Sequence, residues 1–430
     1  MALRCILLNG EIISDKLQEN ITFSEIKKSV EEGITVLRPI SITKLLNFFN
    51  FYSRSLIHSQ EAKSVDGIAF LSNWLRKSNL EKLLQNNLGN KEFLNQFIGT
   101  GNKRVKAQPK GIVCHWIAGN IPTLALFSLF QSLLVRNGNI IRIPNQSVYP
   151  ISTLLKLFSE LTFEDLKGSE ILKSVAIVSF PSNNKDLNNQ MSLIADARIV
   201  WGGSVAVKAI QGLEHREHCE DVIFGPKYSF SVLDKKVLIN EEINKFIRRF
   251  VNDVVAFEQS ACSSPHIFFI ETTEKNLITK VIDLFKTELE RMKTVLPKQT
   301  ISQLTSTQII NKRAEYALSQ EKSVYCSKSN DWTILFDSKI QLEEPIQSRT
   351  IWIKPVQNLL DITELITRKV QTIGCAILDE EKFYKFVDSA TLKGVARCVA
   401  PGQMNIYDSP WDGIYLLQRL VNWVTVVSII

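Results

Sequence analysis

Cys262 stands in the run Phe257-Glu258-Gln259-Ser260-Ala261-Cys262-Ser263-Ser264-Pro265, a sulfur framed by small residues. A thiolate is a strong nucleophile, and small neighbours leave a substrate carbonyl room to approach it. The competing role is that of a small buried hydrophobe. A second group suited to chemistry lies upstream, in Gly111-Ile112-Val113-Cys114-His115-Trp116-Ile117-Ala118-Gly119-Asn120-Ile121-Pro122. There an apolar, strand-like run enters a Gly-Asn-x-Pro loop, and Pro122 suits the first turn of a following helix. The Asn120 amide can donate to a developing oxyanion, a contact worth about 3 kcal/mol in the transition state. Its plainer alternative is an asparagine that holds its own turn. Gly202 and Gly203, just before Ser204, form the third candidate. Glycines let the backbone approach a phosphate, and a helix starting near Ser204 would offer unpaired N–H groups. A plain tight turn would use the same residues, and no G-x-G-x-x-G fingerprint is present.

These groups need elements to position them. From Gly111 onward, short β-rich runs alternate with longer amphipathic segments. The pattern predicts strands at Ile112–His115, Asn139–Ile143, Val175–Phe180 and Ala197–Trp201, with helices at Pro122–Arg136, Ser147–Leu161, Lys185–Ile194 and Val205–Leu213. Such alternation with short loops argues for an α/β fold with a parallel sheet covered on both faces. A second alternating block follows. Its helix at Glu241–Phe257 has Asn240 as N-cap and two glutamates in the first turn, and Cys262 then sits at a helix-to-strand corner. Further strands are predicted at His266–Glu271, Thr350–Pro355, Thr372–Leu378 and Val395–Val399. Residues 1–105 are mostly helical in pattern and hold no evident chemistry.

The formal charge of +7 comes from 51 basic and 44 acidic residues spread along the chain. That spread lacks the dense basic block of a nucleic-acid-binding tail. Seven scattered cysteines without paired spacing suit a reducing, cytoplasmic setting rather than a disulfide framework. The N-terminal apolar stretch is too short for a signal peptide. The apolar segments around Ile121–Val135 and Leu420–Ile430 are too short to span a bilayer and read as core elements. His215-Arg216-Glu217-His218-Cys219-Glu220 has ligand-like residues but no second pair, so no metal site is expected. His266 would share a helical face with Cys262, but Pro265 and the strand-like run after it make a helix there unfavourable.

In order and spacing, the Asn120-Ile121-Pro122 loop, Gly138-Asn139-Ile140-Ile141-Arg142, Asp196–Ser204, Gly225-Pro226-Lys227 and Cys262 resemble the aldehyde dehydrogenase superfamily. His-Trp-x-Ala-Gly-Asn-x-Pro, Gln-x-Ala-Cys-Ser-Ser-Pro, Gly402-Gln403-Met404 and Trp411-Asp412-Gly413 make the long-chain acyl-thioester (fatty acyl-CoA) reductase branch of bacterial bioluminescence systems the most similar part of it. The resemblance is good over about 111–270, partial over 394–424 and absent over 1–105.

The resemblance implies a Rossmann-like cofactor domain over 1–230, an α/β catalytic domain over 231–400, and a segment 401–430 that returns to the cleft or a subunit interface for oligomerisation. It implies Cys262 as nucleophile and Asn120, with the Cys262 amide, as oxyanion donor. Gly202, Gly203 and Ser204 would lie under the cofactor pyrophosphate. Arg142 would face the adenosine ribose, favouring NADPH, with NADH as the alternative. The implied reaction is reduction of a long-chain acyl thioester, on CoA or an acyl carrier, to the aldehyde. Implied partners are acyltransferase and acyl-protein synthetase subunits and further copies of the chain, with no nucleic acid and no membrane span. The residue that hydrolytic relatives use to activate water is a glutamate; here Ile223 or a neighbour holds that place, and an isoleucine is no general base. The alternatives are a cysteine acyltransferase or thioesterase without a redox step, and a noncatalytic scaffold.

Overall fold

The computed structural model describes residues 3–13, 21–299 and 301–428. The chain divides into two compact units, Met1–Gly225 with Tyr407–Ile430, and Pro226–Ile406.

The first unit is built on a seven-stranded sheet. Its spatial order is Glu220–Phe224, Ala197–Trp201, Ile112–Trp116, Gly138–Arg142, Val175–Ser179, Arg4–Leu8 and Glu11–Ile12. The first five run parallel, and the last two close the edge as an antiparallel hairpin. Alternate residues of each parallel strand enter different cores, as the two-residue period of a strand requires. Val113, Ile141, Ile177 and Ile199 pack on one face, and Cys114, Ile140, Val178 and Val200 on the other. A sheet buried on both faces has continuous apolar strands, which is why these runs are legible in the sequence. Helices Ile42–His58, Leu124–Leu134 and Val148–Glu160 cover the first face, where Phe49, Tyr52, Phe130 and Phe158 interlock at centroid distances of 4.9–6.1 Å. Helix Phe23–Leu37 lies on the other face.

A three-stranded antiparallel sheet joins Val421–Val427 to Lys103–Pro109 and Ile98–Thr100. This corrects the expectation for the apolar stretch after Leu420: from Asn422 to Val427 the strand is exposed, with Trp423 at 44% and Val427 at 60%. Among the described residues it bonds to one neighbour and forms the sheet's edge, so its apolar side chains do not enter a core of this unit.

The second unit has its own seven-stranded sheet, in the order Ser323–Cys326, Thr333–Phe336, Thr350–Val356, Pro265–Glu271, Tyr228–Leu233, Val370–Ala376 and Arg397–Val399. All neighbours are parallel except the first pair. Here too both faces are buried: Phe268, Ile270 and Ile353 pack on one side, and Ile267, Phe269 and Trp352 on the other. Helix Ile243–Val255 begins later than the sequence suggests. The Asn240 side chain accepts from the Glu242 amide at 2.7 Å ahead of the helix instead of capping it. No described helix is long and apolar enough to cross a membrane.

Candidate active site

In the first unit the parallel strands reverse their order of addition between Ile112–Trp116 and Ala197–Trp201. Ligands of open α/β sheets bind outside the carboxyl ends of strands at such a switch point. The Asn120 loop leaves one of these strands and the Gly202-Gly203-Ser204 turn leaves the other. Arg142 ends the next strand at the same level, in register with Trp116, which is in register with Val200. The fold therefore brings Asn120, Arg142, Gly202, Gly203 and Ser204 to one edge.

Asn120 is exposed, in a loop held by Gln146, whose amide donates to the Gly119 carbonyl at 3.1 Å. The following helix begins at Leu124, two residues after Pro122. Helix Ser204–Gln211 starts from Gly203 with no side-chain cap. A Cβ on Gly203 would meet nothing within 4 Å, and Ser204 and Val205 are exposed. Open space in front of uncapped first-turn amides fits a phosphate group. The Arg142 guanidinium donates to the Phe180 carbonyl at 2.9 and 3.3 Å and lies 5.7 Å from the Phe180 ring centre. Burial lowers its pKa from the usual value.

His115 is a structural residue. Its buried ring lies between Ser128 Oγ at 2.8 Å and Asn139 Oδ1 at 3.0 Å, and burial pushes its pKa down to about 4. Arg216 and His218 both reach Asp196 Oδ1, at 2.7 and 3.5 Å. Ile223 lies between Val222 and Phe224 on strand Glu220–Phe224, and the strand's two carboxylates, at its start, are already engaged: Asp221 pairs with buried Arg198 at 2.5 Å, and Glu220 with Arg419.

In the second unit Cys262 is half-buried, in a turn that ends at the amino terminus of the strand Pro265–Glu271. Its carbonyl accepts from Ser229 Oγ at 2.7 Å, and that oxygen accepts from the Thr372 amide at 3.1 Å. Upstream, Phe257, Glu258 and Gln259 have φ of 53°, 50° and 59°, three consecutive non-glycine residues in the left-handed region. Each costs about 1 kcal/mol or more and persists only where its surroundings over-determine it.

The bracing is provided by a second left-handed run, Gln347, Ser348 and Arg349. Arg349 donates to both Glu258 carboxylate oxygens at 3.1 and 2.5 Å, and to the Leu296 carbonyl at 2.8 Å. The Ser348 amide donates to the Glu258 carbonyl at 2.9 Å. Gln259 donates to the Pro265 and Thr350 carbonyls and accepts from the Thr350 amide at 2.8 Å. Glu258 and Arg349 carry no sequence signal as site residues, and Gln259, though part of the Gln-x-Ala-Cys-Ser-Ser-Pro run, gives no sign of its bracing role, because ordinary side chains give no warning of a left-handed backbone.

Four of the other cysteines have thiols raised above the ordinary value. Burial pushes Cys5 up to about 12 and Cys219 up to about 11, and raises Cys114 well above the usual thiol value. Cys375 is raised first by its hydrogen bond with Cys398 and then by burial. His266 is buried inside its strand, pushed down to about 3 by burial, and not a partner on a shared helix.

The fold of both units is that of the aldehyde dehydrogenases. Aldehyde dehydrogenase 21 from Physcomitrella patens superposes with a TM-score of 0.70, covering 99% of this chain and 98% of its own at 12% identity. The NAD-bound Delta-pyrroline-5-carboxylate dehydrogenase of Mycobacterium tuberculosis gives 0.66, covering 95% and 83% at 11% identity. Within that fold, the profile of the acyl-CoA reductase (LuxC) family matches residues 40–423, and the chain belongs to that family. It is similar to the long-chain acyl-protein thioester reductase of Vibrio harveyi, 25% identical over 98% of this chain and 92% of that protein. Long-chain acyl-protein thioester reductase 2 of Photobacterium leiognathi is 26% identical over 87% and 77%. The chain is thus an aldehyde-forming oxidoreductase of the acyl reductase type.

Proposed function

We propose that the protein reduces a long-chain fatty acyl thioester to the fatty aldehyde with NADPH, through an acyl group carried on Cys262. The observation that carries this reading is the braced left-handed turn that presents the Cys262 thiol, in a chain of the acyl-CoA reductase family. The Cys262 sulfur attacks the thioester carbonyl carbon, and the bond to the donor sulfur breaks, releasing CoA or an acyl carrier thiol. We assign the developing oxyanion to the Cys262 backbone N–H and the Asn120 side-chain amide. The amides at Gly202, Gly203 and Ser204 would hold the pyrophosphate of a nicotinamide cofactor, and Arg142 a 2′-phosphate, which favours NADPH over NADH. Reduced nicotinamide, when bound, supplies the hydride that takes the acyl group to the aldehyde level. Cleavage of the thiohemiacetal C–S bond then returns the Cys262 thiol and releases the aldehyde.

The test is oxidation of NADPH, followed spectrophotometrically, across acyl-CoA chain lengths, with NADH as the competing reductant. Aldehyde formation that requires nicotinamide supports the reductase. Acyl transfer or hydrolysis proceeding equally well without it would make the protein a thioesterase or acyltransferase.

Ile223 gives a second expectation. With no carboxylate at that place to activate water, fatty aldehyde and oxidised cofactor should yield free acid at less than about one-hundredth of the rate of acyl-thioester formation when CoA is supplied. Equal rates with and without CoA, measured by product chromatography, would contradict it.

The exposed edge over residues 422–427 fits a homo-oligomer, since an unpaired strand edge is a template for another chain. Placing lysine at Trp423 and Val426 together should therefore lower the oligomeric state in analytical ultracentrifugation, and an unchanged sedimentation profile would count against this. Acyltransferase and acyl-protein synthetase subunits are the partners we expect to supply the acyl group.

A further inference from the structure

The turn that carries Cys262 is held on its downstream side as well, and we propose that Asn405 is a positioning residue for the nucleophile, acting through Ser263 and Ser264. The proposal rests on the reading of Cys262 as the acyl-accepting thiol.

Ser263 and Ser264 are buried, and both hydroxyls donate to one atom, Asn405 Oδ1, at 2.8 and 3.2 Å. The other end of the same amide donates from Nδ2 to the Asp253 backbone carbonyl at 2.8 Å. Asn405 is itself buried, so both ends of its side chain are used inside the protein. Such an amide holds its partners in one arrangement, because a buried polar group left without its hydrogen bond is costly.

The loop that presents Asn405 is fixed in turn. The Asp253 carboxyl accepts from the Gly402 amide at 2.6 Å and the Met404 amide at 3.3 Å. Arg397 donates to the carbonyls of Met404, Gln403 and Ile406 at 3.0, 3.3 and 3.0 Å. Met404 seats its sulfur against the sheet where Gly374 leaves room; a Cβ on Gly374 would lie 2.7 Å from it.

These contacts close a ring. Asp253 lies in the last turn of helix Ile243–Val255, and that helix runs directly into the left-handed residues 257–259 and on to Cys262. Ser263 and Ser264 return the chain through Asn405 to Asp253. The nucleophile is therefore fixed from both sides by one helix end. Acyl transfer needs such placement, since a misplacement of about 1 Å at a reacting centre can cost about 100-fold in rate. Alkylation by a small, freely diffusing reagent does not depend on that alignment.

The experiment uses the full-length protein and three variants: N405A, S263A/S264A and the triple variant. Three quantities are measured in each: release of thiol from a long-chain acyl-CoA without nicotinamide, alkylation of Cys262 by iodoacetamide, and Tm. N405A is expected to slow thiol release by about 10- to 100-fold while alkylation stays within about twofold. The triple variant should be no slower than the slower of the other two, because residues acting through one another do not add. Should N405A fail to fold, S263A/S264A carries the same comparison of thiol release with alkylation. Thiol release within twofold of the parent in N405A would overturn the proposal, as would multiplying effects in the triple variant. A joint fall of thiol release, alkylation and Tm would make Asn405 a purely structural residue. A parent that is alkylated at Cys262 yet releases no thiol would refute the acyl-enzyme reading and the proposal with it, a result distinct from a parent that acylates as fast as N405A.

Discussion

Replacing Cys262 by alanine is expected to reduce aldehyde formation from acyl-CoA by at least about 10,000-fold, with Tm changed by no more than a few degrees. The size follows from the chemistry: without the nucleophile there is no acyl-enzyme, and residual binding cannot replace a covalent step. The small effect on stability follows from the position, since the side chain is half-buried and Ser229, Ser263, Ser264, Gln259 and Glu258 hold the turn. C262S should be almost as inactive, because a serine hydroxyl is a far weaker nucleophile at neutral pH. The check is steady-state NADPH oxidation with acyl-CoA beside a thermal melt of the same sample. Activity within tenfold of the parent would remove Cys262 from the chemistry.

The largest stability effect is expected at Glu258. Its partner Arg349 is fully buried, and Arg349 Nη1 has no hydrogen-bond partner among the described residues. E258A would leave a buried guanidinium without its counter-charge, a change that costs about 3–5 kcal/mol. It would also remove one of the contacts that hold the three left-handed residues. Urea unfolding followed by tryptophan fluorescence should show the unfolding free energy falling by that amount, with the midpoint moving to lower urea. Removing both charges with E258L/R349M should recover most of the stability, because a buried pair replaced by apolar side chains is often neutral. Activity should not return with it, since the turn before Cys262 loses its specific brace. An E258A protein as stable as the parent would mean that the ion pair does not hold the turn.

The parallel strands from Ile112 to Trp201 are legible because both of their faces are buried, which leaves uninterrupted apolar runs bounded by turn residues. The candidate groups at the switch point are legible because glycine and Asn-x-Pro mark strand-to-helix turns. Other parts are hidden for definite reasons. The strand Tyr228–Leu233 contains Ser229 and Ser231, which read as polar yet are buried because their hydroxyls bond to Cys262 O and Met404 Sδ. The hairpin Arg4–Ile12 turns through Asn9 and Gly10, both with positive φ. Asn-Gly announces that turn, but its strands are too short to show a period against the helical pattern that follows.

The C-terminal strand reads as core because it is apolar, whereas burial depends on what lies against it. Asn405 and Asp253 are 152 positions apart, and only the folded chain brings the loop after Arg397 to the end of helix Ile243–Val255. Local pattern therefore picks out Cys262 as a candidate, but neither the left-handed turn before it nor the long-range contacts that fix its position.

The most direct measurement is intact-mass and peptide-mapping spectrometry of the protein after brief incubation with a long-chain acyl-CoA and no nicotinamide. One acyl group per chain, located on the peptide that contains Cys262, released as aldehyde on addition of NADPH and missing from C262A, is the predicted result. An adduct on a different residue, an adduct that persists in C262A, or aldehyde formation with no acylated chain at any time would contradict the account.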